Sequence, residues 1–202
     1  MGDWFEAEQR AERAQKLCES QRWAEALTEI DAALAVNPDQ SNWQAQRGFV
    51  LEELGRWIEA AESYRASLEV ESGDREVMLA LSSVLLRLER FTEALTILDE
   101  VSRLFPDCEP AYCQRIQAYT ELGRHDRAEE MFYFAQQINA DCPHCFYAIG
   151  VSLAARGRRE KAIFCWKRVL ELEPDYYGVN LRIAEAYRSV RDFEQAKEYL
   201  RR

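Results

Sequence analysis

The chain has 202 residues, of which 36 are acidic and 26 basic, giving a formal net charge of −10. Hydrophobic residues make up 48% of it and glycine and proline are few, which excludes collagen-like, low-complexity and disordered classes. The negative charge argues against a protein that binds nucleic acid or a membrane surface. Charge also reverses along the chain, because residues 1–74 hold 16 acidic and 7 basic side chains whereas residues 143–202 hold 8 and 12.

The compartment is inferred from motifs that the sequence lacks. No stretch approaches the roughly 18 consecutive apolar residues of a membrane helix, so we expect no membrane insertion. The first six residues, Met1 to Glu6, lack the basic and apolar regions of a signal peptide. Six cysteines in a chain without an export signal are typical of reduced thiols. We therefore expect a cytoplasmic protein with free cysteines.

An alanine recurs every 34 residues along the whole chain, at Ala26, Ala60, Ala94, Ala128, Ala162 and Ala196. Two columns of large apolar residues and one column of small residues keep the same step. Such a fixed period is the signature of a repeat protein. The small column is Ala14, Gly48, Ser82, Gly150 and Ala184, with Ile116 as its exception.

Each repeat unit is predicted to contain two amphipathic helices, because apolar residues recur at steps of three and four before and after a turn such as Leu54-Gly55-Arg56. One pair cannot bury its apolar face alone, so neighbouring pairs must stack into an extended solenoid. The predicted units are residues 7–40, 41–74, 75–108, 109–142 and 143–176, with a partial sixth over 177–202.

The period and its columns resemble the tetratricopeptide repeat (TPR) family, as in Trp57-Ile58-Glu59-Ala60-Ala61 and Leu172-Glu173-Pro174-Asp175. The resemblance implies an all-α, right-handed superhelical solenoid of stacked antiparallel helix pairs, with about five full repeats plus a partial sixth over residues 1–202. No polar capping helix follows Arg202. Either the chain is the N-terminal part of a longer protein, or its last repeat is a contact surface for a second copy.

The resemblance also implies a scaffold or adaptor for protein–protein interactions, with the partner held in a concave groove lined by the first helix of each pair. The lining in this register is mostly apolar or uncharged, which suits a peptide or an amphipathic helix of another protein. The residues predicted to contact the partner are Phe49, Leu79, Ser83, Leu86, Gln114, Gln117, Tyr147, Val151 and Arg182.

One local motif carries chemistry, the run Cys142-Pro143-His144-Cys145. In thiol oxidoreductases such a run follows a strand, whereas here it joins two helical repeats. A zinc site over Cys142, His144 and Cys145 would need a fourth ligand, which Cys113 of the preceding repeat could supply. A Cys108–Cys142 disulfide is not expected, because stacked repeats place equivalent atoms about 10 Å apart.

The sequence shows no other catalytic constellation, since it lacks a Gly-rich phosphate loop and has only two histidines. We therefore predict a protein that is not an enzyme and has no cofactor and no metal. Two alternatives stay open: self-association through the C-terminal repeat, and a thiol or metal site at Cys142 and Cys145. The basic stretch from Arg156 to Arg168 is interpreted as a solvated face, with docking of an acidic partner as its alternative.

Overall fold

The structure is a computed structural model that describes residues 2–202. Over these residues the chain forms twelve α-helices and no strand, which confirms the all-α prediction. The two helices of each pair are joined by a turn of three residues, so that they pack antiparallel. Within residues 2–202, no helix combines the length and the apolar character needed to cross a bilayer.

The chain divides into two compact units, Met1–Pro106 and Asp107–Arg202. The first unit contains three helix pairs, and the second helix of each of the first two pairs packs on the first helix of the following pair. Its helices are α1 (Gly2–Glu19), α2 (Trp23–Val36), α3 (Ser41–Glu53), α4 (Trp57–Val70), α5 (Arg75–Arg87) and α6 (Phe91–Leu104).

The second unit contains the other three pairs. Here the first helix of its first pair, residues 109–121, packs extensively on the first helix of the next pair, residues 143–155. Its helices are α7 (Glu109–Glu121), α8 (His125–Ile138), α9 (Pro143–Ala155), α10 (Arg159–Leu172), α11 (Val179–Ser189) and α12 (Phe193–Leu200).

The turn inside each pair has the same geometry in all six pairs. After the first helix ends, one residue takes the left-handed conformation, with φ between 56° and 73°. Its N–H and the next N–H then bond back to carbonyls of the last helical turn, as Gly55 does to Glu52 and Arg56 to Leu51, which is a Schellman motif. The six left-handed residues are Gln21, Gly55, Glu89, Gly123, Gly157 and Arg191.

The alanine column lies in the centre of every pair. Five of its six members are fully buried and Ala196 is 5% exposed. A methyl group at this place lets the second helix approach the first closely, while large residues such as Ile30 and Leu98, both fully buried, fill the space beside it. The alanine that recurs every 34 residues therefore marks the same packing contact in each helix pair.

Candidate functional site

The first helices of the three pairs in the second unit line a pocket of about 230 Å³. α7 and α9 contribute three residues each and α11 a single side chain. The lining combines an aromatic ring, aliphatic carbon and groups of both charges. Its members are Gln117, Thr120 and Glu121 from α7, Tyr147, Ala148 and Val151 from α9, and Arg182 from α11.

Tyr147 is held in the pocket by contacts of its side chain and of its backbone. Its ring stacks on that of Tyr176, with centroids 5.4 Å apart and planes inclined by 26°. Its carbonyl oxygen accepts a hydrogen bond of 3.3 Å from the indole of Trp166. A hydrogen bond with Tyr147 raises the pKa of Arg182, and burial opposes this only in part. The aromatic and cationic groups of the pocket are thus held together.

Four of the nine predicted partner-binding residues meet in this pocket: Gln117, Tyr147, Val151 and Arg182. The prediction also gave Gln114, which lies partly buried on α7. Sequence reasoning missed Thr120 and Glu121, although they follow Gln117 at the helical steps of three and four that place residues on one face.

The other four predicted residues lie in the first unit and differ in accessibility. Phe49 is 44% exposed and meets Trp23 edge to face, with centroids 5.7 Å apart. Leu79 and Ser83 are partly buried. Leu86 is only 6% exposed, so its side chain contributes to packing between helices and offers little surface to a partner.

The cysteines differ from the prediction that all six are free thiols. A disulfide joins Cys113 on α7 to Cys145 on α9, with their Cα atoms 5.0 Å apart. The pair is 32 residues apart rather than 34, because the second turn of α7 faces the first turn of α9. Cys18, Cys108, Cys142 and Cys165 are free, so Cys108 and Cys142 are not bridged, as expected.

A third cysteine and a carboxylate lie against the disulfide. The Cys142 thiol donates a hydrogen bond of 2.8 Å to Oε1 of Glu109 and lies 3.6 Å from Sγ of Cys113. Burial and this hydrogen bond raise the pKa of Cys142 to about 12. A thiol that resists ionisation is a poor nucleophile, which argues against the oxidoreductase alternative.

His144, one of the candidate metal ligands, lies outside this cluster. Its Nδ1 is 2.8 Å from the hydroxyl of Tyr176. Glu109 was not predicted, because one glutamate among many carries no signal in the sequence. Only the packing of α7 on α9 shows that it shares a site with Cys142.

Three of the six cations in the basic stretch pair with acidic groups of the same unit. Nη1 of Arg156 lies 2.8 Å from Asp126 and 2.7 Å from Glu129, which Arg158 also contacts. Arg168 pairs with Asp141 and Glu171. Because acidic groups of the same unit already offset these cations, the arrangement fits a solvated face better than a dock for an acidic partner.

Comparison with protein families gives one consistent result. Four family models, each described as tetratricopeptide repeat, match residues 11–76, 51–118, 143–176 and 177–202. A curated relative, the uncharacterized protein y4yS of Sinorhizobium fredii, is 28% identical over 136 residues, which cover 67% of this chain and 74% of y4yS.

Solved structures show the same fold at low sequence identity. A tetratricopeptide repeat protein from Parabacteroides merdae superimposes with a TM-score of 0.84 at 16% identity, covering 97% of this chain and 78% of its own. YrrB, described as a TPR protein with an unusual peptide-binding site, gives a TM-score of 0.70 at 22% identity, covering 89% of this chain and 90% of its own.

Proposed function

Because the chain belongs to the tetratricopeptide repeat family, we propose that it is a cytoplasmic protein-interaction scaffold that holds a peptide or an amphipathic helix of a partner protein. The observation that carries this proposal is the pocket formed by α7, α9 and α11. YrrB, which has the same fold and a peptide-binding site, supports a peptide as the ligand. Recognition of this kind needs contact surface and no covalent chemistry.

The lining of the pocket suggests what it would recognise. Tyr147 and Val151 offer apolar surface, and the volume of about 230 Å³ suits one large apolar side chain. Arg182, which is exposed beside them, would pair with a carboxylate or a carbonyl oxygen of the same segment. In the first unit, we propose that the exposed ring of Phe49 contacts a partner.

The test is a selection from a displayed peptide library with the full chain as bait, followed by calorimetry on the peptides obtained. The double variant Tyr147→Glu, Val151→Glu places two charges on the apolar wall of the pocket. We expect it to weaken binding at least about tenfold, which corresponds to about 1.4 kcal/mol. The matched control is Phe164→Glu, because Phe164 is an apolar residue of the same repeat that is 70% exposed on α10.

Equal binding of the selected peptides to the wild type and the double variant would overturn the assignment of this pocket. Circular dichroism separates this result from unfolding, because Tyr147 and Val151 are both partly buried. A loss of helical signal in the double variant would require the milder Arg182→Gln, whose side chain is exposed, to decide the question.

A second candidate function is self-association through the last helix pair. Three of its apolar side chains are at least half exposed: Leu181 at 52%, Phe193 at 55% and Leu200 at 63%. Tyr199 is 7% exposed and stacks on Tyr187, so it belongs to the packing of the pair. Sedimentation at rising concentration should show a larger mass for the wild type than for Leu200→Glu, with Phe164→Glu as control.

A further inference from the structure

Four potential metal ligands converge where the N-terminal half of α7 meets the start of α9. The oxygen of Glu109 and the sulfurs of Cys113, Cys142 and Cys145 all lie within 4.8 Å of one another. Cys142 and Cys145 are buried, and the other two residues are partly buried. Among residues 2–202, these three cysteines and one glutamate therefore offer the four protein ligands that a structural zinc site requires.

Two of the distances between ligand atoms are those of a tetrahedral metal centre, and the sulfurs of Cys113 and Cys145, which are bonded to each other here, would separate to the same spacing once reduced. With Zn–S bonds of about 2.3 Å and a Zn–O bond of about 2.1 Å, ligand atoms around zinc lie roughly 3.6–3.8 Å apart. Sγ of Cys113 and Sγ of Cys142 are 3.6 Å apart, and Sγ of Cys145 is 3.6 Å from Oε1 of Glu109. The same oxygen is 3.2 Å from Sγ of Cys113 and 2.8 Å from Sγ of Cys142, so the Glu109 carboxylate would shift outward from both sulfurs to admit the ion.

The local backbone favours negatively charged ligands. Glu109 is the first residue of α7, and Cys142 is the N-terminal cap of α9. The sulfur of Cys142 accepts a hydrogen bond of 3.2 Å from the N–H of Cys145. The positive ends of two helix dipoles therefore face a site in which three thiolates and a carboxylate would outweigh the charge of a divalent ion.

We propose that Glu109, Cys113, Cys142 and Cys145 form a zinc-type site that fastens α7 to α9 when the cysteines are reduced, and that the Cys113–Cys145 disulfide is the oxidised, metal-free state of the same site. The two states exclude each other, because a sulfur in a disulfide is no longer a thiolate ligand. Either state cross-links the repeat 109–142 to the repeat 143–176.

Conversion of the disulfide state to the zinc state requires a two-electron reductant, which a dithiol supplies. The dithiol gives two electrons and two protons to the disulfide, the S–S bond breaks to two thiols, and the dithiol closes to its own disulfide. Zn²⁺ then displaces the protons of three thiols into the buffer. Three Zn–S bonds and one Zn–O bond to Glu109 form.

The experiment compares the reduced and the oxidised full chain. Each is incubated with Zn²⁺, desalted without oxygen and assayed for metal by mass spectrometry, and reduced protein is also titrated with Co²⁺. We expect one zinc per reduced chain, none per oxidised chain, and a cobalt spectrum of a tetrahedral site with thiolate ligands. Zinc should also raise the unfolding temperature of the reduced protein only.

Variants assign the ligands. Cys142→Ser should lose the bound zinc, and Glu109→Gln should weaken zinc binding at least about tenfold. Cys108→Ser is the matched control, because Cys108 caps α7 as Cys142 caps α9 but lies outside the cluster. Failure of the reduced wild type to retain zinc would overturn the proposal without any variant. Retention of zinc by Cys142→Ser at the wild-type level would overturn it too.

Discussion

The indole Nε1 of Trp166 on α10 donates a hydrogen bond of 3.3 Å to the carbonyl oxygen of Tyr147 on α9. This contact is possible because Gly150, one turn further along α9, leaves the space that the indole occupies. A Cβ atom at position 150 would lie 2.7 Å from Cδ1 of Trp166, which no relaxed side chain tolerates. The backbone that carries the pocket residue Tyr147 is thus positioned by a side chain on the other helix of its pair.

We therefore expect Gly150→Ala to destabilise the protein by about 1–3 kcal/mol, because it overpacks a filled site. A loss of stability would be diagnostic, because Gly→Ala at a helix position with free space stabilises a protein by up to about 1 kcal/mol. Urea unfolding followed by circular dichroism measures the difference.

The control for this prediction is the same change in a Trp166→Leu background. The smaller leucine costs stability by itself through the cavity that it leaves, but it also frees the space that the new methyl group needs. Gly150→Ala should then cost less than in the wild type, which a double-mutant cycle detects. Additive effects of the two changes would mean that the indole is not the obstacle.

The 34-residue period predicts the fold because the residues that recur with it pack in equivalent places. The structure also explains why the column of small residues tolerates a large one, Ile116. Gly48 and Gly150 each face an aromatic ring 16 residues later, Tyr64 and Trp166. Where the small column holds Ile116, which is fully buried, Phe132 is only partly buried and packs on Phe146, with centroids 5.4 Å apart. A large residue in one column is thus offset by displacement of its partner.

The candidate site could be predicted only in part. The helical register identifies Gln117, Tyr147, Val151 and Arg182 as members of one face, and they do share a pocket. The cluster of Glu109, Cys113, Cys142 and Cys145 depends instead on the stagger between α7 and α9. A 34-residue period carries no information on that stagger, because it relates only equivalent positions.

Three of the six turns place a residue other than glycine in the left-handed conformation: Gln21, Glu89 and Arg191. Such a residue pays about 1–2 kcal/mol in steric strain. We expect Glu89→Gly to raise the free energy of unfolding by about 1 kcal/mol, since the greater freedom of glycine in the unfolded chain cancels part of the gain. Thermal and urea unfolding both measure it.

The same substitution in a helix should have the opposite effect. Glu62 is exposed on α4, and Glu62→Gly is expected to cost about 1 kcal/mol from lost helix propensity. A stabilised Glu89→Gly beside a destabilised Glu62→Gly would assign the gain to the turn. If both variants lose stability equally, strain at position 89 is not significant.

Glu52 on α3 is an acidic group whose environment disfavours its charge. Burial raises its pKa above the ordinary value of 4.5, and the hydrogen bond from the Tyr64 hydroxyl opposes this in part. The hydroxyl donates to Oε2 of Glu52 over 3.1 Å. Between the ordinary and the raised value, the folded chain binds more protons at this site than the unfolded chain.

The stability contributed by Glu52 is therefore present at low pH, declines as the pH rises through 4.5, and is constant again above the raised pKa. Glu52→Gln keeps an acceptor for Tyr64 and carries no charge, so it should remove this decline and raise the unfolding temperature at pH 7. The control Glu53→Gln removes the same charge from an exposed neighbour and should leave the decline unchanged. If the two variants show the same dependence of unfolding temperature on pH, the effect comes from net charge and not from the burial of Glu52.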